Sequence, residues 1–451
     1  MMRHSALMFF GLLAYPLSAA TALTQSAPTP PPMAAPANAI DSNVRRDVVA
    51  KLSDALRDNY IFPDVGEKAA EKISTSLAAG AYDKLADPGA FAARLSADVA
   101  AIAHDKHMSV NSMSGPPPSP GGPMGAMPRS EAGVVRADKL AGDVGYIEVI
   151  GFPPLPAFKP VVDKAMSVLK GSRALIIDDR RNMGGSPDAV GYFVSYLIPP
   201  NQSIEINDIV SRVPKTNNFG HKKSRSAPTP INFAGIPVYV LTSKNTFSGG
   251  EEFAYDVQTH KLGKIVGEVT GGGANPTGPV DLGHGFVASI PWGRSENPIT
   301  KTNWEGRGVQ PDMNVPAPDA LKAALTRLGQ KPATDIATAS LKQVFAPRST
   351  PLPGSETATR QFIAGIVSGS PDYTSMTPEF ASFNREHLPM LRRSLLLPLG
   401  ELRSIKFEDI GMMGDDEYRA SFAKGAVIVA ITLDANGKVA GAMMRPAPAG
   451  Q

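Results

Sequence analysis

Val238-Tyr239-Val240-Leu241, followed after a short polar turn by Thr246-Phe247-Ser248-Gly249-Gly250-Glu251-Glu252, is a strand-to-helix junction with a hydroxyl at its apex. The first run is β-branched and aromatic, as in a buried strand. Glu251 and Glu252 then place acidic side chains in the first turn of a helix, where the amides are unpaired and the dipole is positive. Ser248 therefore stands where a hydroxyl is exposed and where the Gly249 and Gly250 amides can face a developing negative charge. This is the layout of a serine nucleophile, and equally of a plain helix N-cap.

Outward from this junction the same alternation recurs. Ala174-Leu175-Ile176-Ile177-Asp178 is an apolar strand of the kind covered on both faces, and Asp179-Arg180-Arg181-Asn182-Met183-Gly184-Gly185 turns out of it into a helix from about Asp188. Val144–Ile150 precedes as a strand, a helix with Val161, Val162, Ala165, Met166 and Leu169 on one face intervenes, and Ile265–Val269 follows as another strand. Strands alternating with helices imply an α/β core with a largely parallel sheet, and in such sheets sites collect at the carboxyl ends of strands. Gly184-Gly185 and Ser248 both fall there.

The flanks differ from this core. Arg3 and His4, an apolar run from Ala6 to Tyr15 and small residues to Ala20 make a secretory signal (1–20), and a Pro/Ala-rich tether (21–40) follows. Between 41 and 112, three amphipathic patterns (Val44 to Leu56, Ala69 to Leu77, Phe91 to Ile102) predict an N-terminal three-helix bundle, the third helix with Asp87 as N-cap and Pro88 behind it. A Pro/Gly-rich loop (113–132) leads into the core (133–328), and a Pro-containing connection (329–353) leads out of it. Helical patterning over Thr357–Leu396, followed by extended runs and an Asp434-Ala435-Asn436-Gly437 turn, predicts a C-terminal α+β domain (354–451).

Composition narrows the function classes. The 451 residues carry a net charge of +3, which does not mark nucleic acid as a partner, and no later segment has the length and apolarity of a membrane span. The absence of cysteine removes disulfides, thiol catalysis and thiolate metal sites. An exported, periplasmic or secreted, protein is expected.

Four ordered motifs carry a resemblance: Asp178 to Gly185, Thr246 to Glu252, Val266 to Gly273, and Glu305-Gly306-Arg307-Gly308-Val309-Gln310-Pro311-Asp312. Together they resemble the tail-specific, or C-terminal processing, serine peptidases, in the branch of tricorn protease and the interphotoreceptor retinoid-binding protein modules. The similarity spans about Asp41 to Pro316, with no PDZ-like stretch. It implies a ClpP/crotonase-like α/β core, a peptide or unfolded-protein substrate, no cofactor, and a triad of Ser248, His107 and Glu305. The oxyanion would be held by Gly249 and an amide of the Gly184-Gly185 turn. More loosely, the C-terminal domain resembles the nuclear transport factor two-like fold.

The sequence departs from the dyad members of that family. Where they place a catalytic Lys, this chain has Gly271-Gly272-Gly273, and Lys106 stands where tricorn has a Ser. Lys106, Lys261 and Lys264 stay open as alternative bases, each needing desolvation to serve. Glu305 reads also as an ion-pair partner of Arg307 or Arg180, and Arg180 and Asn182 as braces of their turn. His104 and His107 lack a third ligand, so no metal is expected. The triple glycine lacks the Lys-Ser/Thr ending of a phosphate loop. A non-catalytic lipid- or peptide-binding module on the same scaffold is the alternative function.

Overall fold

Consecutive residues of the strand Ala174–Asp178 divide between two hydrophobic cores: Leu175 and Ile177 join one, Ala174 and Ile176 the other. That division is what a continuous apolar strand does in a sheet covered on both faces. The computed structural model describes residues 39–112, 130–345, 347–411, 414–434 and 436–447. The signal, most of the tether and residues 113–129 of the Pro/Gly loop lie outside the described residues.

The sheet has seven strands, ordered Met313–Asn314, Lys264–Gly267, Val238–Thr242, Ala174–Asp178, Val144–Val149, Val134–Leu140 and Ser340–Phe345. The first five run parallel and the last two are added antiparallel. The helices Leu155–Val168, Pro187–Ser195 and Gly249–Thr259 cover one face through Phe158, Val162, Phe193, Phe253 and Val257, and the helix Ala320–Arg327 covers the other through Leu321, Ala324 and Leu325. The fold is thus mixed α/β with a helical N-terminal region.

Two features differ from the sequence reading. Ser340–Phe345, inside the segment expected to be a connection, is the edge strand of the main sheet; Leu341 is exposed and Phe345 buried, so only part of its apolar surface reaches the core. The helices Ser42–Asn59, Pro63–Ala78 and Pro88–Ala103 also do not close on one another alone. Their core takes in Leu282, Phe286, Ala288 and Ile290, and the Phe91 and Phe286 rings meet edge-on at 5.6 Å. These residues belong to a three-stranded sheet of Ser109–Ser112, Phe286–Pro291 and Thr277–Gly283, which carries the chain from the helices to the core. The helices thus bury their apolar faces against that sheet as well as against one another.

Beyond Arg348, the helices Ser355–Ser368 and Pro378–Leu391 pack on four consecutive antiparallel strands, Leu402–Ile410, Asp416–Phe422, Gly425–Leu433 and Val439–Pro446. Asp416, fully buried at the start of its strand, is bonded by Arg348 and the Leu352 amide.

Candidate active site

Ser248 has φ 54° and ψ −121°, backbone that a non-glycine residue adopts only when its surroundings force it. The force is visible. Its amide donates to Glu251 Oε2 at 3.0 Å, and the preceding Phe247 amide donates to the Asn182 carbonyl at 2.9 Å. The buried Glu251 carboxylate also accepts from the Thr270 hydroxyl and from the Gly272 and Gly273 amides, so one side chain joins the serine turn to the triple-glycine loop. Burial raises its pKa and the four donors pull it back.

The turn after Asp178 lies against this elbow. A Cβ on Gly184 would meet the Gly249 nitrogen at 2.5 Å and Ser248 Cβ at 2.7 Å, and one on Gly249 would come 2.9 Å from the Gly185 nitrogen. Glycine is required for that approach, and Gly184 takes φ 93° as well. The Gly184 amide is already engaged by Asn182 Oδ1 at 2.8 Å, so of the two glycines expected to offer a donor, Gly185 is the one whose amide stays beside Gly249. Arg180 forks onto Asp178 through Nε at 2.8 Å and Nη2 at 2.5 Å and reaches the Ala317 carbonyl, bracing the turn.

His107 comes from the other sheet. The helix Pro88–Ala103 ends with His104 as a left-handed cap at φ 52°, and His107 follows just before the strand Ser109–Ser112. Its ring packs on Phe247, the neighbour of Ser248, with centroids 4.7 Å apart. Gly273 lies under both rings: a Cβ there would meet Phe247 Cζ at 2.4 Å and His107 Cε1 at 2.6 Å. Both ring nitrogens are buried without a hydrogen-bond partner, so the bonds from His107 to Ser248 and Glu305 are not made in this state. Burial pushes the imidazole pKa down to about 4, which keeps the ring neutral at neutral pH.

Glu305 approaches the same ring. Its loop is clamped on the triple glycine by Trp304 Nε1 to the Gly273 carbonyl at 2.7 Å and by the Gly306 amide to the Gly272 carbonyl at 3.0 Å. Its carboxylate accepts from the Ala274 and Lys106 amides, and no bond joins it to Arg307 or Arg180. Burial first, and then the charge of Asp105, push its pKa up to about 7.

The sequence reading missed Asp105. This buried carboxylate accepts from the His107 amide at 3.0 Å and from Asn275 Nδ2 at 2.7 Å, with the Tyr60 hydroxyl at 3.3 Å, and burial raises its pKa. Ligating atoms of Asp105, His107 and Glu305 all lie within 4.8 Å of one another, a set that has the donor types of a metal site. The signal in the sequence was an acidic residue two positions before the histidine. His104, weighed beside His107 as a ligand, is exposed where the helix ends. Of the alternative bases, Lys261 and Lys264 are exposed, with Lys264 paired to Asp312 at 2.9 Å, and exposed Lys106 extends its ammonium onto the Gly271 carbonyl. None is desolvated as a lysine base must be.

Residues 143–315 match the model of peptidase family S41, and residues 41–133 match the N-terminal domain of peptidase S41 in eukaryotic IRBP. Among solved structures, a peptidase from Parabacteroides merdae is 18% identical over 65% of this chain and 95% of its own, with a TM-score of 0.46. The photosystem II D1 C-terminal processing protease is 14% identical over 65% of this chain and 95% of its own, at TM-score 0.42. Tricorn protease is 16% identical over 65% of this chain and 36% of its own, at TM-score 0.39. The two family matches together span more than half of the sequence, and the chain belongs to peptidase family S41, a family of serine peptidases.

Proposed function

We propose that this chain is an exported endopeptidase that cleaves unfolded or C-terminal peptide segments, with Ser248 as nucleophile, His107 as general base and Glu305 as the group that orients the imidazole. The observation that carries the reading is the strained Ser248 backbone at the head of a helix, flanked by the Gly249 and Gly185 amides and next to the residue on which His107 packs.

In the reaction, neutral His107 takes the Ser248 proton as the hydroxyl oxygen attacks the peptide carbonyl. The oxyanion forms against Gly249 and Gly185, donors whose loss typically lowers kcat about a hundredfold or more each. The imidazolium then gives its proton to the leaving amine, and water repeats the sequence to free the acyl group. Glu305, once ionised, stabilises the imidazolium. The His107–Ser248 bond, not made in this state, would form as substrate fills the site. An extended substrate would add to an exposed strand edge.

The non-catalytic binding module is favoured by one observation, the unpartnered His107 ring. A fluorophosphonate probe separates the two. Under the peptidase reading it labels Ser248, and His107→Ala abolishes labelling while the fold persists by circular dichroism. Absence of labelling in the folded wild-type chain overturns the peptidase reading, and labelling that survives His107→Ala overturns His107 as the base.

A further inference from the structure

We propose that Asp105, His107 and Glu305 form a binding site for a single divalent transition-metal ion of the zinc class, and that the ion, when bound, holds the peptidase off. The metal site stands on geometry alone; its inhibitory effect rests on the function proposed above.

Three observations carry it. The donor set is one imidazole nitrogen and two carboxylates, with ligating atoms within 4.8 Å of one another. Around a tetrahedral zinc with bonds of about 2.0–2.2 Å, donor atoms sit about 3.4 Å apart, so a modest inward shift completes the site. The imidazole is poised to bind: neither ring nitrogen is solvated or hydrogen-bonded, a state that a buried polar group holds only at a free-energy cost. Finally, each carboxylate is already oriented by bonds from outside the set. Asp105 is held by Asn275 and Tyr60, and Glu305 by the Ala274 and Lys106 amides. Such outer partners are what fix metal ligands in place. Asn275 Oδ1, also buried and unpartnered, sits on the same residue that braces Asp105.

The consequence for the reaction is direct. A zinc ion on the ring nitrogen that Glu305 would otherwise orient leaves the imidazole's one proton on the other nitrogen, which then has no lone pair to accept the Ser248 proton, and both carboxylates neutralise the metal. Three protein ligands leave a fourth position for water, and the only change in the protein is where the ring's proton sits. The ion fixes His107 as a donor and removes it as a base.

Zinc sulfate alone is the probe, added to the purified full chain. Calorimetry and metal analysis after dialysis are expected to give one zinc per chain, released by chelator. Cobalt(II) in its place should give the visible absorption of a four-coordinate site. Asp105→Asn and Glu305→Gln should each weaken binding at least tenfold, whereas His104→Ala leaves it unchanged. Fluorophosphonate labelling of Ser248 should slow at least tenfold with zinc and recover with chelator. No binding up to millimolar zinc, or binding indifferent to Asp105→Asn and Glu305→Gln, overturns the site. Labelling unaffected by bound zinc overturns its inhibitory effect. Zinc bound as expected to a chain that no probe labels leaves the metal site standing and removes the peptidase reading.

Discussion

The two halves of the site are built in opposite ways. Around Ser248, the amides of the elbow and the glycine loop are held by Glu251, and the backbone is fixed by the ends of a parallel sheet. Around His107, the ring packs on Phe247 but makes no hydrogen bond, and the carboxylates of Asp105 and Glu305 lie within 4.8 Å without bonding it. The proposed nucleophile and oxyanion donors depend on backbone positions, which a packed sheet holds rigidly. The proposed base depends on a side chain from the loop that leads into a different, smaller sheet. Preorganisation is concentrated where charge develops, and adjustment is left to the proton carrier.

The contrast can be tested by disturbing each half. Glu251→Gln places an amide nitrogen among donors, and the mismatch should destabilise the fold by about 3 kcal/mol or more, with labelling of Ser248 lost in parallel. Denaturant melts and probe kinetics measure both, and an unaltered midpoint would mean the elbow is not held by this carboxylate. Gly273→Ala pushes on His107 and Phe247 while leaving the elbow's bonds intact. Labelling should slow about 10- to 100-fold, with about 1–3 kcal/mol of stability lost to overpacking.

Glu305→Gln addresses the orienting acid. Glu305 assists only when ionised, so the wild-type labelling rate should rise as pH increases through about 7, and the variant should lose that step along with about tenfold in rate. A variant that keeps the step shifts the orienting role to Asp105. A separate, pH-dependent effect lies beneath the elbow helix, where buried Glu252 has its pKa pushed up to about 8, first by burial. Its folded-state value exceeds the unfolded one, so the folded chain keeps a proton that the unfolded chain releases. Stability therefore falls as pH rises between about 4.5 and 8, by up to about 1.4 kcal/mol per pH unit from this group. Glu252→Gln should flatten that slope in melts from pH 5 to 8 while leaving Tm at pH 5 nearly unchanged.

These differences also mark what a sequence makes legible. The elbow was readable because strand, glycine and acidic helix start are contiguous from Val238 to Glu252, and local chemistry dictates local backbone. The parallel strands were readable for the same reason. The function of Asp105 was not, because its partners Tyr60 and Asn275 are distant in the chain and nothing local announces them. The partners of the N-terminal helices were hidden likewise, since Phe286 and Ile290 lie nearly two hundred residues from the helices they complete.

The strand Ser109–Ser112 hydrogen-bonds to Phe286–Pro291, and Glu305 lies beyond that pairing. On the roles proposed for them, His107 is made before Ser248 and Glu305 after both, so the histidine gains its acid only once residue 305 has been added and the small sheet has paired with Phe286–Pro291.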